Sequence, residues 1–431
     1  MAEYKRPQNE EEFNENFKQK TPLMNDTQAY YESSRCLFCY DAPCMNACPT
    51  EIDIPLFIKQ IHSGNVEGAA KTIYDSNWLG NACGSVCPTG VLCEGACVYN
   101  HQDVPPLQIG RLQNYATKSV IDSGKHLYTP GDDNGKKVVV IGAGPAGIAC
   151  ACELRTLGYT VDVFEAKDKP TGLLVYGNAP YKITNEEVFQ ETSFLQDQLG
   201  YNVKYNSPIN SKEQILELEN NYDAIFLGIG IGATAYRNIP GEDKDGVYGA
   251  VEFIADLKMN HSNTKVGNKV IVLGGGNTAM DAASESARMG ASNVTLAYRG
   301  NKEKMGAYSF EYDLIISAGV KSVFDASPVQ IIGSDSVEGV KFSDSKGKHF
   351  VIEADMVIKA TGQEKQASFY EMIKGLEADS NTRIKVNPKN NQTTNKQYFA
   401  GGDAINGGAE VVNGAYDGKL AAQGIHQWLN Q

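Results

Sequence analysis

Eight of the ten cysteines of this 431-residue chain fall between Cys36 and Cys97, in two groups. The first reads Cys36-x2-Cys39-x4-Cys44-x3-Cys48-Pro49, and the second Cys83-x3-Cys87-Pro88-x4-Cys93-x3-Cys97. Thiolates at such short spacings close on one metal centre, and a Cys-Pro ending is typical of four-iron ferredoxin-type loops. In two-cluster ferredoxins the cysteine before proline ligates the other cluster. By that logic Cys48 and Cys87 belong to one cluster, while Cys36, Cys39 and Cys44 anchor another. Paired cysteines also make closed zinc sites, so spacing alone leaves zinc as the alternative metal. Cys150 and Cys152 lie inside a helical segment and are read as small packing residues.

Two glycine loops follow apolar strands. After Val138–Ile141 comes Gly142-Ala143-Gly144-Pro145-Ala146-Gly147, then a helix and a second strand ending at Glu165. Gly142 permits the tight turn, Gly144 lets the backbone approach a pyrophosphate, and Gly147 allows close helix–strand packing. The helix N-terminus offers free N–H groups and a positive dipole end. Glu165 can accept hydrogen bonds from an adenosine ribose. The second loop, Gly274-Gly275-Gly276-Asn277-Thr278-Ala279, has alanine at the third packing position. Its second strand, Val294–Tyr298, leads into Arg299 instead of an acid, with Lys302 and Lys304 close behind. An acid would repel a 2′-phosphate, whereas Arg299 can pair with it, so the residue types favour NADPH over NADH. The bland alternative is that Arg299 is a solvated loop charge.

Near the C-terminus, Tyr398-Phe399-Ala400-Gly401-Gly402-Asp403 ends a strand in a Gly-Asp turn before a long helical segment. Such an aspartate can bind the ribityl chain of a flavin, with the helix N-terminus facing the flavin's electron-rich edge. An ordinary turn or N-cap role is the alternative for Asp403. A flavin beside iron–sulfur centres makes chemical sense, because it converts two-electron hydride chemistry into the single electrons that clusters carry.

The elements that must position these residues change character along the chain. Residues 1 to about 125 are polar and helix-prone. From Lys136 onward, alternating apolar strands, glycine turns and amphipathic helices predict α/β units, with Asp132-Asp133-Asn134-Gly135 as the linker. A strand–glycine turn recurs at Ala224–Gly230 and at Met356–Gly362, so one nucleotide-binding module is inserted into another. The expected fold is α/β: an α-helical iron–sulfur domain over residues 1–130, then two nested Rossmann-like domains. These are an FAD-binding domain over 131–242 and 355–431 and a NAD(P)H-binding domain over 243–354. Net charge of −13 argues against nucleic acid or an anionic membrane surface as partner. No apolar run is long enough to span a bilayer. The start of the chain lacks the apolar core of a signal peptide. The expected location is cytoplasmic, where metal sites are a better reading of clustered cysteines than disulfides.

Ser34-Arg35-Cys36-Leu37-Phe38-Cys39-Tyr40-Asp41-Ala42-Pro43-Cys44 resembles the N-terminal electron-transfer half of dihydropyrimidine dehydrogenase. So do Asn77-Trp78-Leu79-Gly80, Cys83-Gly84-Ser85-Val86-Cys87-Pro88-Thr89 and Leu92-Cys93-Glu94-Gly95-Ala96-Cys97. The resemblance covers almost the whole chain, and the wider superfamily includes the small subunit of NADPH-dependent glutamate synthase. It implies that Cys36, Cys39, Cys44 and Cys97 hold one 4Fe-4S cluster. It implies that Cys48, Cys87, Cys93 and a glutamine, matched here by Gln113, hold a second, with Cys83 outside both. The family places flavin contacts at a Gly-Gly-Leu motif, which this chain carries as Thr171-Gly172-Leu173. Arg299-Gly300 stands where many relatives carry two arginines, and bacterial relatives include NADH users.

The resemblance therefore implies an electron-input subunit. Hydride would pass from NAD(P)H to FAD, and electrons would leave through two clusters to an FMN-containing, pyrimidine-reducing partner. The alternatives are the small subunit of glutamate synthase and a flavin-bound electron-transfer module without turnover of its own. A thioredoxin reductase-like disulfide chemistry is excluded, since that class needs a redox-active cysteine pair in the nucleotide-binding domains and no cysteine follows Cys152.

Overall fold

The structure is a computed structural model and describes residues 4–431. Met1, Ala2 and Glu3, the beginning of the segment read for an export signal, lie outside the described residues. The strands are β1 (Lys137–Ile141), β2 (Thr160–Phe164), β3 (Asn202–Lys204), β4 (Ala224–Leu227), β5 (Val247–Gly249), β6 (Lys269–Leu273), β7 (Asn293–Ala297), β8 (Lys321–Val323), β9 (Ser327–Ile332), β10 (Gly339–Ser343), β11 (His349–Glu353), β12 (Met356–Lys359) and β13 (Tyr398–Ala400).

One parallel sheet has the order β13-β4-β1-β2-β3 and a second the order β5-β12-β6-β7-β8, also parallel. Both are doubly wound sheets, whose ligand crevice lies beyond the carboxyl ends of the strands where the order reverses. Val138, Val139 and Val140 are fully buried, as a central parallel strand covered on both faces requires. Strands β5 to β12 lie in the chain between β4 and β13, so the second sheet is nested inside the first. The antiparallel β11-β10-β9 sheet follows β8.

The chain forms two compact units. The larger comprises Lys20–Val175, Lys182–Ile231 and Lys365–Gln431, combining the cysteine-bearing helices with the first parallel sheet. The smaller comprises Gly232–Glu364, Tyr176–Tyr181 and the chain up to Gln19. This last assignment differs from the expected helical domain over 1–130. Phe13 and Phe17 lie four apart at the Glu10–Asn16 helix and its C-cap, and they join the core of the smaller unit with Val270, Val272 and Ala279. Two stacked phenyl rings bury more apolar area than the acidic sequence around them suggests. Among the described residues no helix is long and apolar enough to cross a membrane.

Candidate cofactor sites

The larger unit gathers the thiols into two neighbourhoods. Cys36, Cys39, Cys44 and Cys97 line one pocket, walled by Pro43, Ile54, Ile58 and Leu107. Burial pushes the Cys36 thiol up, and its neighbours Cys39 and Cys97 add to the shift. The Cys44 thiol is pushed up to about 11, again chiefly by burial, with Cys36 and Cys97 contributing. Cys97 lies far along the chain from the other three, and the fold closes that gap. In the other neighbourhood, Cys87 is held well above the usual thiol range, first by a hydrogen bond with Cys83 and then by burial, with Cys93 and Cys48 nearby. Burial also raises Cys93, which feels Glu94 and Cys48. Gln113 is buried, and its Nε2 donates to the Gly80 carbonyl at 2.6 Å, which fixes the direction of its amide. Cys83 is a buried thiol beside Cys87. Among the described residues no three His, Cys, Asp or Glu side chains converge tightly enough to hold a single ion. The fold thus defines two thiol neighbourhoods, not a closed coordination polyhedron. Thiolate is the ligating form, so loading either neighbourhood with metal must release protons.

At the end of β1, Gly142 has φ +97°, and a Cβ there would stand 2.4 Å from the Gly228 carbonyl after β4. Gly147 is packed tighter, with 1.9 Å from a built Cβ to Gly142 O. Gly144, the N-cap of the Pro145–Thr156 helix, faces open space instead, with Gly228 O at 3.8 Å the only neighbour of a built Cβ. Tight, open, tight is the pattern a pyrophosphate cradle needs. Glu165 is buried; one carboxylate oxygen accepts from Ala143 N and the other from Lys167 N, both at 2.8 Å. The acid therefore braces the glycine loop. Thr171 is buried at φ +67° and donates its N–H to Ala143 O at 2.6 Å. Gly172, at φ +51°, lies against the Gly144 Cα, and Leu173 is 37% exposed.

Gly402 (φ +68°) caps the short Asp403–Asn406 helix. Burial raises the Asp403 carboxyl, opposed by a hydrogen bond from Ala409 N and the charge of Lys365. Asp417 was not singled out by the sequence reading. It accepts from Gly402 N at 2.9 Å, and burial pushes its carboxyl up to about 6. Its signal was its position in the helix following the Gly-Asp turn. That helix, Val411–Leu429, crosses the Pro145–Thr156 helix at glycine, since a Cβ at Gly418 would stand 2.0 Å from Ala146 O.

In the smaller unit, Gly274 turns at φ +153° against Ala360 O, and Gly276 caps the Asn277–Arg288 helix with nothing near a built Cβ. Asn277 Oδ1 accepts from Tyr308 N at 3.0 Å, tying the loop after β7 to the helix start. Thr278 is exposed, and Ala279 is buried. The Tyr298 ring covers Gly275, and its hydroxyl donates to Lys304 O at 2.8 Å. Arg299 is exposed at this turn. Lys302 lies over the Tyr312 ring at 4.5 Å, an engagement its assignment to a phosphate did not anticipate.

Two nested dinucleotide-binding sheets, together with two neighbourhoods of thiols in the same chain, define a pyridine-nucleotide-linked flavoprotein with iron–sulfur centres. The glycine cradles and the sulfur-rich donor sets fit FAD, NAD(P)H and 4Fe-4S clusters. Residues 13–125 match the family described as dihydropyrimidine dehydrogenase domain II, 4Fe-4S cluster, and residues 136–418 match pyridine nucleotide-disulphide oxidoreductase. The chain is 34% identical over 438 residues to the glutamate synthase [NADPH] small chain of Escherichia coli, covering 94% of this chain and 92% of that one. It is 31% identical over 410 residues to the NAD-dependent dihydropyrimidine dehydrogenase subunit PreT of the same organism, covering 95% and 96%. The fold resembles FprA of Mycobacterium tuberculosis in complex with NADPH at TM-score 0.58 and 18% identity, over 68% of this chain and 84% of that one. It also resembles T. acidophilum thioredoxin reductase at TM-score 0.55 and 22% identity, over 69% and 100%. The chain belongs to the pyridine nucleotide-disulphide oxidoreductase family, in the branch that joins this fold to an N-terminal 4Fe-4S domain.

Proposed function

We propose that this chain is the electron-input subunit of a dihydropyrimidine dehydrogenase-like enzyme, delivering electrons from NAD(P)H to an FMN-containing partner that reduces a pyrimidine. The observation that carries this reading is the presence, in one chain, of two nested dinucleotide cradles and two thiol neighbourhoods, one of them completed by the distant Cys97. When bound, FAD handles electron pairs and iron–sulfur clusters carry single electrons. Gly142, Gly144, Gly147, Glu165, Gly172, Leu173, Gly402 and Asp403 hold FAD in this reading, and Gly274, Gly276, Asn277, Thr278, Arg299 and Lys302 hold NADPH. Cys36, Cys39, Cys44 and Cys97 take one cluster, and Cys48, Cys87, Cys93 and Gln113 the other. No side chain is assigned acid–base work, because orienting the donor and acceptor is what this half-reaction asks of the protein.

The glutamate synthase reading is favoured by the 34% identity to that small chain. The pyrimidine reading is supported by the Asn77-x-Leu79-Gly80-x2-Cys83 lead-in, where Asn77 is buried and its Oδ1 accepts from Leu79 N at 3.0 Å. Adding purified candidate partners separates them. NAD(P)H oxidation dependent on uracil and an FMN subunit supports the first; oxidation dependent on glutamine, 2-oxoglutarate and an amidotransferase subunit replaces it with the second. For the clusters, anaerobically purified chain is expected to carry about eight irons, while stoichiometric zinc without sulfide sinks the assignment. Cys87→Ser should lose or destabilise one cluster and Cys83→Ser neither.

A further inference from the structure

Glu191 lies on the Asn185–Leu199 helix, 1% exposed, and is used by none of the sites above. Its partners all come from the N-terminal helical segment of the same compact unit. Oε1 accepts from Asn81 N at 2.6 Å and from the Tyr74 hydroxyl at 3.1 Å, and Oε2 accepts from Ala82 N at 2.9 Å. Asn81 and Ala82 open the Gly80–Val86 helix, which has no side-chain cap of its own. The next residue after that helix is Cys87. The carbonyl of Gly80, at its first position, is the anchor of the Gln113 amide. Thr117, one turn beyond Gln113, donates its hydroxyl to Asn81 Oδ1 at 3.0 Å. One buried carboxylate, contributed from far along the chain, thus fixes the turn from which both Cys87 and Gln113 are placed.

We propose that Glu191 is a positioning residue for the Cys48, Cys87, Cys93 and Gln113 site, coupling the electron affinity of the centre held there to its own protonation. The inference rests on the ligand assignment proposed above. Burial raises the Glu191 carboxyl to about 7, against the opposing pull of Ala82 N, Asn81 N and Tyr74. The titratable groups facing it are Tyr74 from the Val66–Ser76 helix and Cys152 from the Pro145–Thr156 helix, with Tyr201 behind Cys152. Burial raises all three, so they stay neutral in the range where Glu191 titrates. Its hydrogen-bond partners include no cation. As pH rises through about 7 the carboxylate gains a negative charge at the first turn of the helix that leads to Cys87. Placing an electron there becomes harder, so the reduction potential falls.

The test is an EPR-monitored redox titration of the iron-loaded full chain between about pH 5.5 and 8.5, the span in which such a group changes charge. In the wild type, one of the two centres should show a potential that falls with pH and levels off above the titration. Glu191→Gln removes the charge while keeping one acceptor, so that centre should become independent of pH over the same range. Loss of about half the iron from a folded, flavin-loaded Glu191→Gln chain supports the same role. Tyr74→Phe keeps the packing and removes one donor to the carboxylate, so the pH midpoint should move upward. Full iron in Glu191→Gln with an unchanged pH-dependent potential overturns the inference. If that variant does not fold, an unmoved midpoint in Tyr74→Phe does so. Wild-type chain lacking clusters, or keeping both after Cys87→Ser, overturns the ligand assignment instead.

Discussion

At the ends of β1 and β6 the chain meets the same backbone requirement in the same way, and a few residues later the two loops part company. Gly142 and Gly274 both take positive φ, and a Cβ at either would stand about equally close to the carbonyl beyond the neighbouring strand, 2.4 Å from Gly228 O and 2.5 Å from Ala360 O. The first helix then approaches its strand so closely that Gly147 admits no side chain, whereas Ala279 already carries a methyl group at the corresponding place. At the end of the second strand, Glu165 is buried with both oxygens bound to backbone N–H groups. Its counterpart region presents exposed Arg299, with Lys302 resting on a tyrosine ring. The first loop is closely packed and its acid already bound, an arrangement that fits the proposed resident cofactor because groups built in advance lower the ordering cost. The second leaves its charged groups at the surface, which suits a nicotinamide that must arrive and leave.

Three substitutions probe that contrast, led by the one with the largest expected effect. Gly147→Ala puts a Cβ against a backbone oxygen and should cost about 3 kcal/mol by overpacking. It should be visible as reduced flavin content and a lower Tm. Ala279→Gly should cost only about 1 kcal/mol of helix propensity. Similar losses in the two variants would erase the distinction between the loops. Glu165→Ala strands two backbone donors and should weaken FAD binding by about 2 kcal/mol, read as the flavin released on dilution. Undiminished flavin retention would reduce Glu165 to a loop brace that the fold can do without.

The smallest effect on ligand binding belongs to the nicotinamide side. In the proposed assignment Arg299→Ala removes a charge-assisted contact to a 2′-phosphate, so the KM for NADPH should rise about tenfold, equivalent to about 1.4 kcal/mol, with NADH unaffected. Steady-state dye reduction with both cofactors measures it. A wild-type kcat/KM that favours NADH, unchanged in the variant, would make Arg299 a solvated surface charge and leave the second site without a phosphate reader.

Much of the nucleotide architecture was legible beforehand, because each loop is a local object. Strand, glycine turn and helix are consecutive in the chain, and their conformations are dictated by neighbours within about ten residues. Gly142, Gly147, Gly274 and Gly402 are glycines for reasons of φ or of close approach that the motif itself announces. The nested order was readable too, from the repeat of strand–glycine turns. The thiols were legible in kind but not in grouping. Spacing tied Cys36, Cys39 and Cys44 together, while the membership of Cys97 came only from family resemblance, and in the structure it lines the pocket with those three.

By itself, then, the sequence determined the elements, the glycine cradles and the sulfur-rich character of the N-terminal region, since these rest on periodicity and on residues close in the chain. Tertiary structure decided what depends on long-range packing. It sent Phe13 and Phe17 into the core of the smaller unit, although the composition around them matched the cysteine-bearing segment. It set Asp417 under the Gly402 amide. It also brought Glu191, more than a hundred residues away in the chain, to the first turn of the helix leading to Cys87. No local pattern marks such a carboxylate. Its partners are backbone N–H groups, which every residue but proline offers, and only the folded chain decides which of them are left for it to satisfy.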